Sequence, residues 1–86
     1  DAIIKPMAKE FSNRGIRVNS VAFGMIRTDM YKYFLDAGGN DELLKADQYL
    51  GVGETEDAAN VICFLLSGAS RFITGQCLVA DGGFLS

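Results

Sequence analysis

Gly24, Met25, Ile26 and Thr28 are the residues whose types and spacing can do chemistry, and that chemistry is recognition. Gly24 carries no Cβ, so its backbone can approach a ligand closely. The backbone groups of Met25 and Ile26, just beyond the turn, are then expected to be free to hydrogen-bond a flat amide. Thr28 adds a hydroxyl, and at a helix start it can also lie near a phosphate. The same pattern serves equally as a glycine turn before a threonine-capped helix with no ligand at all. Residues that make and break bonds are scarce. The absence of histidine excludes common zinc sites and a serine–histidine triad within these residues. Cys63 and Cys77 form no C-x-x-C, so neither a redox pair nor a metal site is expected. Both are read as reduced core cysteines, which fits a cytoplasmic setting.

For the turn to meet a ligand, a strand must deliver it to the carboxyl edge of an open α/β sheet. Ile16–Ala22 reads as that strand: short, mostly apolar and bounded by Gly15 and Gly24. This suits a parallel strand covered on both faces. Before it, residues 1–13 predict a helix, with Ile3, Ile4, Met7, Ala8 and Phe11 on one stripe. Pro6 is tolerable there only if the helix begins nearby or kinks, and Asn13-Arg14-Gly15 reads as its stop.

After the turn, Thr28-Asp29 offers an N-cap, and Gly38-Gly39-Asn40 breaks the helix that follows. Asp41–Leu50 is read as a second short helix using Leu43, Leu44 and Ala46. Residues 25–50 are thus either a mobile cover or an irregular connection with packed aromatics. Gly51-Val52-Gly53 is a loop. Glu54-Thr55-Glu56-Asp57 then supplies a cap and an acidic first turn. Ala58, Val61, Ile62, Leu65 and Leu66 recur with helical spacing through about Ser67. Ile73-Thr74-Gly75 predicts a turn and Gln76–Ala80 a second strand, ended by Asp81-Gly82-Gly83. Helix, strand, short helices, helix, strand is an α/β order. Two parallel strands cannot bury both faces alone, so the sheet is expected to continue in further residues or in another chain.

The 86 residues carry a formal net charge of −3 and 49% hydrophobic residues, which is globular composition. The eight Lys and Arg form no run, so neither nucleic acid nor an anionic membrane surface is expected as a partner. No apolar run approaches the ~20 residues of a membrane helix. Asp1 is not an initiator residue and no signal sequence follows it, so the chain is expected to begin inside something longer.

Two stretches resemble a known family. GIRVNSVAFGMIRTDM resembles the late strand and following loop of short-chain dehydrogenases/reductases, whose pattern is Arg-Val-Asn, Pro-Gly, a branched residue and Thr. GVGETEDAANVICFLLSGASRFITGQCLVADGG resembles their C-terminal helix, Ile-Thr-Gly turn and last strand ending in Asp-Gly-Gly. The resemblance covers essentially the whole chain and is nearest the 3-oxoacyl-carrier-protein-reductase-like branch.

It implies the C-terminal part of a Rossmann-type, doubly wound parallel sheet: one NAD(P)-binding domain over residues 1–86, with two parallel strands and flanking helices. It implies hydride transfer between NAD or NADP and a small-molecule carbonyl or alcohol. Ile26 would present backbone atoms to the nicotinamide carboxamide, and Thr28 would contact the carboxamide or a nearby phosphate. Gly24 and Phe23 would shape the turn beneath them. A lid over about residues 28–50 would offer Met30, Tyr31, Tyr33, Phe34 and Leu35 as an apolar substrate wall, or pack them within the lid. The last helix and strand would form the interface of a homo-oligomer, usually a tetramer.

Two departures stand out. Phe23 occupies the usual proline position and is expected to loosen the turn; Thr55 replaces a proline at the last helix's start. The resemblance also places the glycine-rich phosphate turn, the adenine-ribose selector, the catalytic serine and the Tyr-x-x-x-Lys pair upstream of residue 1. Tyr31 and Lys32 are adjacent, and Tyr31 to Lys45 has the wrong spacing. No catalytic residue and no metal ligand is therefore expected here, and these residues alone are expected to be inactive. The alternative is a non-catalytic, truncated reductase-like module acting by self-association or subunit pairing.

Overall fold

Two short parallel strands and four helices make up the structure, a computed structural model that describes residues 2–84. Asp1, Leu85 and Ser86, which the sequence reading placed at the ends of the domain, lie outside the described residues.

Helix α1 spans Ile4–Phe11 and continues into a 3-10 turn over Ser12–Arg14. Pro6 sits in its first turn, where a backbone N–H has no intrahelical partner to lose, so no kink is needed. Gly15 adopts φ 71°, the left-handed conformation expected of a helix stop. Ala8 is buried, with its methyl near Gly75, and Ile4, Met7 and Phe11 of its stripe are half-buried, while Ile3 at the stripe's start is exposed.

Strand β1 is Ser20–Phe23, later and shorter than the Ile16–Ala22 expected from the sequence. The reason is visible in residues 17–19, whose polar groups are committed elsewhere. The Val18 N–H donates to the Thr74 hydroxyl (3.1 Å), and Gly75 N–H donates to the Val18 carbonyl (2.8 Å). Strand β2 is Cys77–Ala80, parallel to β1, with Ser20 opposite Cys77 and Phe23 opposite Ala80. The parallel pair expected from the sequence is thus present, and the sheet has two strands among the described residues.

Between the strands run α2 (Asp29–Asp36), α3 (Asp41–Asp47) and α4 (Thr55–Leu66). Asn40 caps α3 by accepting from the Leu43 N–H, so the helix starts as read but stops before Leu50. At the start of α4 the Glu54 N–H donates to the Asp57 carboxylate at 2.7 Å, which ties down an otherwise unpaired donor. Two carbonyls of its last turn, Phe64 O and Leu65 O, are also engaged. Ser67 Oγ donates to Phe64 O, and the buried Ser70 Oγ donates to Leu65 O and Ser67 O.

The core is small. Ala8 and Tyr31 are the apolar residues fully buried among those described; Gln48, Ser70 and Asp81 are the buried polar ones. Ile62, Leu66, Leu78 and Val79 are exposed, so part of the apolar stripe of α4 and most of β2 are not covered within these residues. Cys63 and Cys77 are free but exposed, which corrects their reading as core residues: each stands on an element whose outer side nothing described covers.

Candidate functional site

Two hydrogen-bonded junctions hold β1 against β2. At the amino end, Arg17 reaches three carbonyls: Nη1 donates to Ile73 O (3.1 Å), and Nη2 to Leu65 O (2.9 Å) and Ser67 O (3.3 Å). Asn19 is bonded on both sides of its amide, donating to Ile73 O (3.0 Å) and accepting from the Gln76 N–H (3.1 Å). The Arg-Val-Asn and Ile-Thr-Gly stretches therefore clasp one another. Their polar groups neutralise loop and helix-end carbonyls and leave little for a ligand.

At the carboxyl end, β1 runs into Gly24, whose N–H donates to Ala80 O at 3.3 Å. A Cβ on Gly24 would meet the Cα of Asp81 at 2.9 Å and the Gln48 amide oxygen as well. Gly24 is thus needed for the close approach of its own chain, not for a positive φ. Asp81 is buried, and its Oδ1 accepts from the N–H groups of Gly83 (3.0 Å) and Phe84 (3.1 Å), which folds the Asp-Gly-Gly end of β2 back on itself. A cavity of about 470 Å³ opens at this edge, between both strand ends and the start of α4. Phe23, Gly24, Gln48 and Asp81 line it.

Beyond Gly24 the Met25 peptide is fully engaged, contrary to the expectation that its groups stand free. Its N–H donates to Gln48 Oε1 (2.8 Å); its carbonyl accepts from Gln48 Nε2 (3.0 Å) and the Gly53 N–H (3.0 Å). Arg27 N–H donates to Gly53 O at 2.8 Å, so residues 25–27 pair with the loop before α4. The Ile26 carbonyl accepts from the Thr28 N–H (2.7 Å) and hydroxyl (3.2 Å). The Ile26 N–H, by contrast, has no partner among the described residues. Thr28 is the N-cap of α2 by backbone conformation, while its hydroxyl turns back to Ile26 instead of capping the helix.

Gln48 is the residue that sequence reasoning missed. It was absorbed into an expected helix, and a lone glutamine carries no pattern that marks it as a clamp.

Residues 28–41 make a further set of contacts. Tyr31 is buried, and its hydroxyl donates to the Asp41 carboxylate, joining α2 to α3. This bond and burial both raise its pKa above the ordinary phenol value. Its ring lies 6.3 Å from that of Phe34. Arg27 stacks on the Tyr31 ring (4.9 Å) and pairs with Glu54 at 2.8 Å, which raises the guanidinium's pKa further. Of the other expected wall residues, Met30, Tyr33 and Leu35 are exposed. Phe23 and Gly24 thus line the cavity, Ile26 and Thr28 sit past it on the turn, and Tyr31 packs between α2 and the start of α3.

A parallel β–α–β unit with a glycine turn at the carboxyl edge belongs to the Rossmann-type class. The comparisons with known proteins agree. A family model described as enoyl-(acyl carrier protein) reductase matches residues 1–85. Cyclohexanol dehydrogenase of Acinetobacter sp. (strain SE19) is 37% identical over 98% of this chain and 32% of its own length. The 3-oxoacyl-[acyl-carrier-protein] reductase FabG of Chlamydia pneumoniae is 44% identical over 95% of this chain and 33% of its own. Among solved structures, a 4-hydroxyisoleucine dehydrogenase complexed with NADH superimposes with a TM-score of 0.87 at 36% identity, covering 98% of this chain and 35% of that one. ElxO with NADP bound gives 0.80 at 36% identity, with the same shares. The chain belongs to the short-chain dehydrogenase/reductase family and spans about a third of the length of these relatives. No helix among the described residues is long and apolar enough to cross a membrane.

Proposed function

We propose that these residues supply the nicotinamide-side contacts and the substrate lid of an NAD(P)-dependent oxidoreductase that moves hydride between NAD or NADP and a small-molecule carbonyl or alcohol. One observation carries this reading: the Ile26 N–H, unpartnered among the described residues, beside the hydroxyl of exposed Thr28, at the carboxyl ends of two parallel strands. Such a set fits a carboxamide, which accepts at its oxygen and donates at its nitrogen. Ile26 and Thr28 would hold the nicotinamide, with Phe23 and Gly24 as the floor of the turn. The bound dinucleotide supplies the hydride chemistry; this chain's part is to orient it and to shield it from water. Residues 28–50 form the lid, with Met30, Tyr31, Tyr33, Phe34 and Leu35 as substrate wall or lid packing. Relatives that act on alcohols and on 3-oxoacyl groups support a carbonyl or alcohol substrate.

No tyrosine–lysine pair with the family's spacing stands among these residues, so the 86 residues alone turn over neither NADH nor NADPH. Measurable turnover of a carbonyl substrate by them would overturn that part. In the protein as encoded, Thr28→Ala weakens NAD(P)H binding or slows hydride transfer. Unchanged kinetics would leave Thr28 a helix start and no more. The protein is read as one cytoplasmic NAD(P)-binding domain that assembles through α4 and β2, as a tetramer. The exposed apolar residues of those two elements also favour a second reading, a non-catalytic module held by self-association or subunit pairing. Denatured intact mass of the protein from its natural source separates the two: a lone species of 9.3 kDa favours the module, a longer one the reductase.

A further inference from the structure

Gln48 is 2% exposed, yet it belongs to no helix and to no apolar core. Both N–H donors of its amide and one lone pair of its oxygen are engaged. Oε1 accepts from Met25 N–H (2.8 Å), and Nε2 donates to Met25 O (3.0 Å) and Gly51 O (2.5 Å). Reversing the amide would set its oxygen against two carbonyls, so the orientation is fixed by its partners. The backbone around it is equally anchored. Its N–H donates to Leu44 O (2.7 Å), its carbonyl accepts from Gly51 N–H (2.8 Å), and Leu50 N–H donates to Gly82 O (3.0 Å). The glycine at position 24 leaves the space that the amide oxygen occupies.

We propose that Gln48 is a positioning residue for nicotinamide binding: by clamping the Met25 peptide it sets the direction in which the Ile26 N–H is presented. The inference rests on the nicotinamide reading of the turn given above. Its physical basis is the planarity of the peptide bond. Met25 C=O and Ile26 N–H belong to one trans peptide unit and point in opposite directions. Two donors, Gln48 Nε2 and Gly53 N–H, hold the carbonyl on one side, so the N–H is held to the other. A proline at position 23 would stiffen the approach to this turn by fixing φ; Phe23 does not, and the Gln48 amide supplies the constraint from the lid's far end. Because Gln48 closes the segment after α3, the clamp also ties the lid's return to the cofactor turn.

The test compares ligands with and without a nicotinamide on the protein as encoded. Gln48→Met keeps the side-chain length and removes the amide. Binding of NADH and NADPH is expected to weaken about tenfold, the scale of one hydrogen bond. Binding of ADP-ribose and its 2′-phosphate, which lack the nicotinamide, is expected to stay unchanged. Equal losses for both kinds of ligand, or no loss for either, would overturn the proposal. Amide hydrogen exchange on the unsubstituted protein needs no variant to fold. Met25 N–H should be protected with and without cofactor, and Ile26 N–H protected only with NADH or NADPH. A freely exchanging Met25 amide would overturn the clamp. If the unsubstituted protein bound neither dinucleotide while Met25 stayed protected, the nicotinamide reading itself would fail, and the positioning role with it.

Discussion

The two ends of the β1–β2 pair are built from the same kind of bond to opposite effect. At the amino end, side chains of residues 17 and 19 leave the strand and bind carbonyls of the 65–73 segment. At the carboxyl end, the backbone of residue 25 is bound by a side chain from position 48. The first junction uses its polar groups against one another. The second leaves the Ile26 N–H without a partner among the described residues. A region whose polar side chains are bound to its own backbone serves chiefly to hold the fold; a region held firmly with a backbone donor to spare can hold the fold and a ligand.

That contrast predicts a separation of stability from binding. Arg17→Met should have the largest effect on stability, a loss of about 3 kcal/mol, because three carbonyls lose a charged donor. Denaturant titration measures it, and NAD(P)H affinity under native conditions should not change. A matching fall in affinity would erase the contrast between the two ends. Next in size, Gly24→Ala should cost about 2 kcal/mol, since the new methyl is driven into the Asp81 backbone. Unlike Arg17→Met, it should also weaken cofactor binding, because the turn must shift. Gly68→Ala, where a Cβ meets nothing within 4 Å, is the matched control and should alter neither.

The smallest effect concerns the contact between α2 and α3. The raised pKa of Tyr31 means that its bond to Asp41 and its burial favour the protonated phenol in the folded state. Its contribution to stability is complete below the ordinary phenol pKa of about 10 and is lost as pH rises through the higher folded value. Stability measured by thermal unfolding across the alkaline range should fall more steeply for the unsubstituted protein than for Tyr31→Phe. Equal slopes would detach Tyr31 from the α2–α3 contact.

Much of the architecture was legible in the residues. Gly15 and the Gly38-Gly39-Asn40 break marked helix boundaries that the structure keeps, and the apolar spacing from Ala58 to Leu66 marked α4. These are local matters, decided by backbone freedom, capping and period. The start of β1 was less legible. Ile16 and Val18 have strand-like side chains, but Arg17 and Asn19 serve partners more than 45 positions away, and no local rule reveals that. The cysteines illustrate the same limit from the other side: residue type suggests burial, whereas exposure depends on what lies against the element.

The sequence by itself determined the α/β order, the glycine turn at the end of the first strand and the family to which the chain belongs, because each depends on residue types at short, fixed spacings. Only the tertiary structure decided which backbone groups at that turn remain free. Gln48 and Gly53 lie far along the chain from Met25, and folding brings them onto the same peptide. A hydrogen-bond donor is left open or used up according to what arrives beside it in space.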